Sequence, residues 1–200
     1  MELVLPIFLF AFAAAITPGP NNIMIMASGL NFGTARSLPH LLGICIGFPV
    51  MIVLIGIGFG VIFQTYPILH EIIKIVGIFY LIYLAWRIAN AGSNAQTAKP
   101  SKPFTFLQSA FFQWVNPKAW IMASSAIAAY TTMGQDIFFE VLLIAFIFFL
   151  VAFPSAGSWL IFGASMQHFL QKPVYQNAFN TSMALLLIAS VIPVAIEMVE

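Results

Sequence analysis

An apolar run from Leu3 to Ile16 is interrupted by Thr17-Pro18-Gly19-Pro20-Asn21-Asn22 and resumes at Ile23 to Met26. No other stretch constrains the chain as strongly. Pro18 and Pro20 carry no N–H, so the carbonyls of Ala14 and Ile16 lose the donors that a continuous helix would supply. In hydrocarbon an unpaired carbonyl costs several kcal/mol. A break of this kind therefore persists only against other protein or a water-filled cavity. Asn21 and Asn22 can each donate and accept, and Thr17 adds a hydroxyl.

Hydrocarbon is the expected surroundings because 62% of the residues are hydrophobic and only 6% are charged, with a mean hydropathy of +1.01. A soluble domain carries about 25% charged residues. The chain has 200 residues, room for about six spans of ~20 residues and no soluble domain. The net charge of +1 offers nothing for nucleic acid, and Cys45, the one cysteine, excludes an internal disulfide or a relay of paired thiols. The N-terminal run is retained as a span rather than a signal peptide: Met1-Glu2 has no positive charge, and the apolar run continues past the break.

In order, the spans are expected at about Leu3–Ser28, Leu38–Phe63, Glu71–Ile88, Phe104–Thr131, Ile137–Met166 and Phe179–Ile196. A short loop is expected at Gly29–Ser37 and a turn at Gln64–His70, with His70 and His168 as loop residues. Gly43 and Gly47 form a GxxxG step that serves either internal helix packing or a homodimer, with packing favoured. Tyr80, Tyr83 and Trp86 are expected to pack or to anchor span 3 at the membrane interface. Pro154, with Ser155, Gly157 and Ser158, marks a bend in span 5.

The polar stretch from Asn90 to Lys102 is the natural linker between two halves, a first repeat of about 1–90 and a second of about 104–200 with the linker at about 91–103. The second half has its own interruption, Asn116-Pro117-Lys118, at the position corresponding to the first. Ile25-Met26-Ala27-Ser28 also recurs as Ile121-Met122-Ala123-Ser124, each just after a break. Three spans per half force the halves to be inverted relative to each other. The expected fold is an all-α integral membrane protein of six transmembrane helices, two inverted three-helix repeats with helices 1 and 4 broken. Paired interrupted helices in inverted halves place a binding site at the repeat interface. Five basic residues (Arg36, Arg87, Lys99, Lys102, Lys172) follow odd-numbered spans, against Lys74 alone on the other side. Both termini are therefore expected outside.

The candidate site residues are Thr17, Pro18, Gly19, Pro20, Asn21 and Asn22 from the first half, and Asn116, Pro117 and Lys118 from the second. Lys118 is the one basic residue within a span, where a charge is costly and marks function. Its competing reading is a side chain that snorkels to the interface. Beside freed carbonyls, it can attract a carboxylate or change protonation during a transport cycle. His40, a group that titrates near neutral pH in water, is the second candidate for coupling, although a lone histidine at a helix start is more often an interfacial residue. The histidines are far apart and the spans lack carboxylates, so no metal site is expected. No phosphate-cradling loop, catalytic set or cofactor motif is present either.

With these residues in view, the chain resembles the LysE/RhtB family of bacterial amino-acid exporters over essentially its whole length. The matches are Thr17-Pro18-Gly19-Pro20-Asn21, the Gly43/Gly47 step, Gly77-Ile78-Phe79-Tyr80-Leu81-Ile82-Tyr83-Leu84, and Asn116-Pro117-Lys118-Ala119. Within the family, Asn22-Ile23, Leu84-Ala85-Trp86-Arg87 and Phe111-Phe112-Gln113-Trp114-Val115-Asn116 are similar to the cysteine/O-acetylserine exporter branch. Ser109 departs from the pattern, standing where many relatives carry glycine. The resemblance implies a six-helix inner-membrane carrier that exports small zwitterionic amino acids or derivatives, driven by the proton gradient. The spans hold no buried acid to carry that proton. The rival expectations are a non-transporting scaffold or assembly subunit, a passive channel for small solutes, and a membrane enzyme, which lacks a catalytic set.

Overall fold

The computed structural model describes residues 3–59, 65–91, 102–132, 136–170 and 172–197, and among them every regular element is helical. Helix α1 (Val4–Ile16) ends at Thr17, which takes the extended conformation (φ −63°, ψ 142°) imposed on a residue that precedes proline. Gly19 is also extended, and Pro20 occupies the first turn of α2 (Pro20–Leu54), where its missing N–H costs nothing. The interrupted first span is thus two half-helices meeting at 17–19. A π-helical turn, Ile55–Phe59, ends this arm, and α3 (Pro67–Ala89) follows.

In the second half, α4 (Phe106–Phe112) starts on a capping box. The Thr105 hydroxyl accepts from the Gln108 N–H (3.3 Å), and the Gln108 side chain accepts from the Thr105 N–H (3.0 Å). It tightens into a 3-10 turn, Gln113–Val115, and breaks at Asn116. Helix α5 (Pro117–Tyr130) restarts with proline in its first turn, as α2 does, and the Asn116 side chain caps it by accepting from the Lys118 N–H at 3.2 Å. Helix α6 (Ile137–Phe169), α7 (Pro173–Ala189) and α8 (Ile192–Glu197) complete the order.

Several boundaries differ from those expected. No loop separates spans 1 and 2: the helix runs on past Ser28, turns at Gly33 and continues to Leu54, with Asn31 and Arg36 in helical segments. Gly33 alone absorbs the change of direction, at φ 77°, a left-handed conformation that a side chain would oppose. The second span is α-helical to Leu54 and continues through the π-helical turn to Phe59, and its expected end at Phe63 lies outside the described residues. The chain is already helical at Pro67, so His70 stands in α3, and His168 stands in the last turn of α6. Polar residues at helix ends read as loops from sequence. Helix α6 passes through Pro154 without losing its helical assignment. Residues 92–101, the body of the expected linker, lie outside the described residues.

Among the described residues, three helical stretches are long and apolar enough to cross a membrane, Pro20–Gly58, Glu71–Ala89 and Ile137–Gln167, and α1 is a shorter apolar helix. The distribution of polarity agrees with a lipid setting. Large apolar side chains such as Phe79, Phe111 and Phe139 face outward, whereas Asn22, Ser37, Gln113, Asn116, Ser155 and Asn180 are buried. Tyr83 and Trp86 are exposed, and Tyr80 packs on Phe112 with ring centroids 6.0 Å apart.

Helix α2 is the hub, packing along α6 and also against α4, α5 and α7. Its closest approach to α6 is at Gly29 and Gly163, where an added methyl would strike the Leu160 and Met26 carbonyls respectively. Gly43 and Gly47 bring α2 against α4: a methyl at Gly43 would strike the Phe106 carbonyl, and one at Gly47 would lie 2.6 Å from Ala110 Cα. The GxxxG step is therefore used inside the chain. The extra atoms of Ser109 fit against Gly43, and the Ser109 hydroxyl donates to the Thr105 carbonyl at 3.1 Å.

Candidate functional site

The two breaks meet. Although 101 residues apart from Thr17 in sequence, Lys118 Nζ donates to the Thr17 carbonyl (2.7 Å), the Thr17 hydroxyl (2.8 Å) and the Pro18 carbonyl (3.4 Å). These three acceptors match the three donors of an ammonium group. Lys118 thus reaches across to the first break. Gly19 makes room for this approach, because a methyl there would lie 2.6 Å from Lys118 Cδ.

Each carbonyl released by the first break has found a partner. The Thr17 hydroxyl donates to Ala14 O at 2.8 Å, and Asn22 Nδ2 donates to both Ala15 O and Thr17 O at 2.8 Å. Trp159 of α6 donates its indole N–H to Ile16 O at 3.1 Å. Side chains thus answer the carbonyls of the break, which is what a non-helical segment at membrane depth requires. Asn22, an expected contact residue, faces the carbonyls of its own break and holds them in place.

Asn21 points across to the second half instead. Its amide and that of Gln113 exchange hydrogen bonds, Asn21 Nδ2 to Gln113 Oε1 at 2.8 Å and Gln113 Nε2 to Asn21 Oδ1 at 3.2 Å. Gln113 also donates to Ser109 O at 2.9 Å and is fully buried. On the other side of the second break, Trp120 donates its indole N–H to Trp114 O at 2.8 Å.

Beside this junction lies a cavity of ≈ 50 Å3. Gly19, Asn21, Asn22, Asn116 and Lys118 line its polar side. Phe48, Met122, Phe148 and Ala152 line the apolar side, with Ser155 as a further hydroxyl. Lys118 is the only charged residue on its wall among the described residues. The ring of Phe148 meets that of Phe48 edge-on, 5.2 Å between centroids, and that of Phe10 at 6.3 Å. Phe48 and Phe148 thus belong to an aromatic cluster on the cavity wall. Pro18, Pro20 and Pro117 act on the backbone: they set the breaks and the starts of α2 and α5.

His40 is not part of this wall. It is buried in α2 with its ring 5.1 Å from that of Phe104, and its Nδ1 has no hydrogen-bond partner among the described residues. Three residues of the junction escaped the sequence reading as site residues. Gln113 had a visible signal, an amide four residues before a proline within an apolar span. Ser155 had only its place beside Pro154, and Trp159 had none, since only the fold brings α6 to Ile16.

The chain is similar in sequence to known proteins over most of its length. Residues 12–197 match the family described as LysE type translocator. A cysteine/O-acetylserine efflux protein of Salmonella choleraesuis (strain SC-B67) is 28% identical over 180 residues, 90% of each chain. Proteins of the same description are 28% identical over 189 residues in Shigella flexneri, covering 92% of this chain and 95% of that one, and 27% identical over 180 residues in Escherichia coli O139:H28 (strain E24377A / ETEC), covering 90% of each. No solved structure matches. With a match spanning nearly its whole length, the chain belongs to the LysE type translocator family.

Proposed function

We propose that the protein is a secondary exporter of amino acids or their derivatives across the bacterial inner membrane, coupled to the proton gradient. Cysteine, O-acetylserine or other small neutral amino acids are its substrates. The observation that carries this reading is Lys118, an ammonium from one broken helix docked on the carbonyls of another at the wall of a cavity. The names of the relatives point the same way. In this reading the chain forms six spans as two inverted three-helix repeats, with both termini outside.

A zwitterion presents a carboxylate and an ammonium about one carbon apart. The carboxylate takes Lys118 from the Thr17 and Pro18 carbonyls by a charge-assisted hydrogen bond, which is shorter and stronger than a neutral one. The vacated carbonyls and the Thr17 hydroxyl then receive the substrate ammonium. Asn21 and Asn116 bound the remaining polar wall, and Phe48, Met122 and Phe148 accept a short side chain. The cavity is small, so in this reading the two breaks move apart to admit a substrate. Opening separates the two breaks, and the Asn21–Gln113 amide pair is a contact that yields on one side. Lys118, which exchanges partners as substrate binds and leaves, and His40, buried on α2 away from the cavity wall, are the groups that couple proton movement to this cycle.

The test is the amino-acid content of the medium of cells expressing the protein, compared with cells expressing an Asn21→Ala, Lys118→Ala double variant. Excess of one or a few amino acids, lost in a variant that still inserts, supports export and names the substrate. Medium without such an excess, despite confirmed insertion of the wild-type protein, refutes amino-acid export and favours a scaffold. Efflux that only equilibrates a solute and never concentrates it refutes coupling and favours a passive channel.

A further inference from the structure

A second cavity, also ≈ 50 Å3, opens further along α2, lined by Ser28, Asn31, Arg87, Lys102 and Phe104 among others. Ser28 lies seven residues beyond Asn21, about 10 Å along the helix at 1.5 Å per residue. The floor of this cavity is fixed by its own hydrogen bonds. Asn31 and Asn180 exchange amide bonds at 2.9 and 3.1 Å, Gln176 donates to Asn31 Oδ1 at 3.2 Å, and the hydroxyls of Ser28 and Ser37 pair at 2.9 Å.

Two cations stand at the rim, with no carboxylate answering them among the described residues. Arg87 donates to the Lys102 carbonyl at 3.3 Å, and its guanidinium lies 6.0 Å from the Tyr83 ring centroid and 5.7 Å from that of Phe104. These rings hold the planar group through cation–π contact while using none of its in-plane donors. The chain contains no Asp or Glu anywhere between Glu71 and Asp136. Glu71 itself lies 16 residues before Arg87 on α3, about 24 Å along the axis. Beyond the donor given to the Lys102 carbonyl, the guanidinium keeps further in-plane N–H groups for an incoming oxyanion.

We propose that this second cavity is a staging site for the substrate carboxylate, held by Arg87 and Lys102 before it passes along α2 to Lys118. The inference rests on the export reading above. It adds an entry step that selects for a carboxylate before the substrate reaches the junction, and it places the cationic rim on the side from which substrate is taken.

The experiment is cysteine uptake into inside-out vesicles containing the purified protein, with cysteamine, which lacks the carboxylate, as the second probe. Arg87→Gln, Arg87→Lys and Arg87→Gln/Lys102→Gln are compared with wild type. The half-saturating cysteine concentration rises about fivefold in Arg87→Gln, the upper range for an exposed charge pair, and further in the double variant. The maximal rate falls less than that, and Arg87→Lys restores part of the affinity. Inhibition by cysteamine is unchanged throughout. Raising the salt on the uptake side weakens cysteine saturation in wild type but not in the double variant. An unchanged half-saturating concentration in the double variant overturns the staging site while leaving export standing. An effect that disappears in vesicles of purely zwitterionic lipid also overturns it, and assigns the cations to an anionic headgroup. Wild-type vesicles that move none of cysteine, O-acetylserine and the other small neutral amino acids refute the export reading and the staging site together.

Discussion

Lys118→Met separates the function of the junction from its stability. Methionine keeps the length and flexibility of the lysine stem and removes the ammonium with its contacts to Thr17 O, Thr17 Oγ1 and Pro18 O. Thr17 O keeps the Asn22 amide at 2.8 Å, and both Thr17 and Pro18 are exposed, so water takes the vacated positions. Hydrogen bonds to a charged group contribute about 1.5–3 kcal/mol, but desolvating the ammonium costs a comparable amount. The net change in stability is therefore about 1 kcal/mol or less. Transport should respond differently, because a bound carboxylate that loses its charged partner forfeits about 2–5 kcal/mol. At about 1.4 kcal/mol per decade the lower figure already corresponds to roughly 30-fold weaker binding. The assay is initial efflux from reconstituted vesicles, with unfolding by denaturing detergent measured on the same preparations. The expected outcome is a protein that inserts and unfolds nearly as wild type, with efflux reduced at least about 30-fold at sub-saturating substrate. Efflux within threefold of wild type would show that the ammonium fixes the break and does not receive substrate.

Further predictions concern the parts that hold the junction. Asn21→Ala and Gln113→Ala should be non-additive for stability, with a coupling of about 0.5–3 kcal/mol in a double-mutant cycle, because each amide is the partner of the other. Trp159→Phe keeps the bulk of the ring but strands Ile16 O, and should lower stability by about 1–3 kcal/mol in detergent-unfolding titrations. Gly163→Leu should be worse than Gly157→Leu in the same titrations, because only the first meets a backbone carbonyl, that of Met26, whereas an added Cβ at Gly157 meets nothing within 4 Å. The overpacking cost at Gly163 is about 1–3 kcal/mol or more.

The two breaks were legible because proline lacks a donor wherever it stands and because the flanking residues are apolar enough to fix the surroundings. What answers the freed carbonyls was only half legible. Asn22 and Thr17 sit within a turn of them, so their roles follow from local geometry, but Trp159 reaches Ile16 across 143 residues and only packing at Gly29 and Gly163 brings it there. Lys118 could be flagged from the cost of a charge in a span, yet its direction depends on Gly19 leaving space on the partner helix. Gly33 misled in the opposite sense: its neighbours Asn31 and Arg36 read as a loop, whereas one left-handed residue is enough to turn a helix that otherwise continues. Burial pattern, more than periodicity, distinguishes the inner from the outer faces of these helices, since both faces are apolar.

The central claim is that the paired breaks bind a small amino acid and move it against its gradient. The most direct measurement is accumulation of labelled cysteine and O-acetylserine by oriented vesicles containing the purified protein, with and without an imposed proton gradient. Wild-type vesicles should concentrate at least one of the two above the outside level while the gradient lasts, and release it when the gradient is collapsed. Lys118→Met vesicles should not. Equal levels inside and outside whatever the gradient, or accumulation that persists in Lys118→Met, would contradict the account.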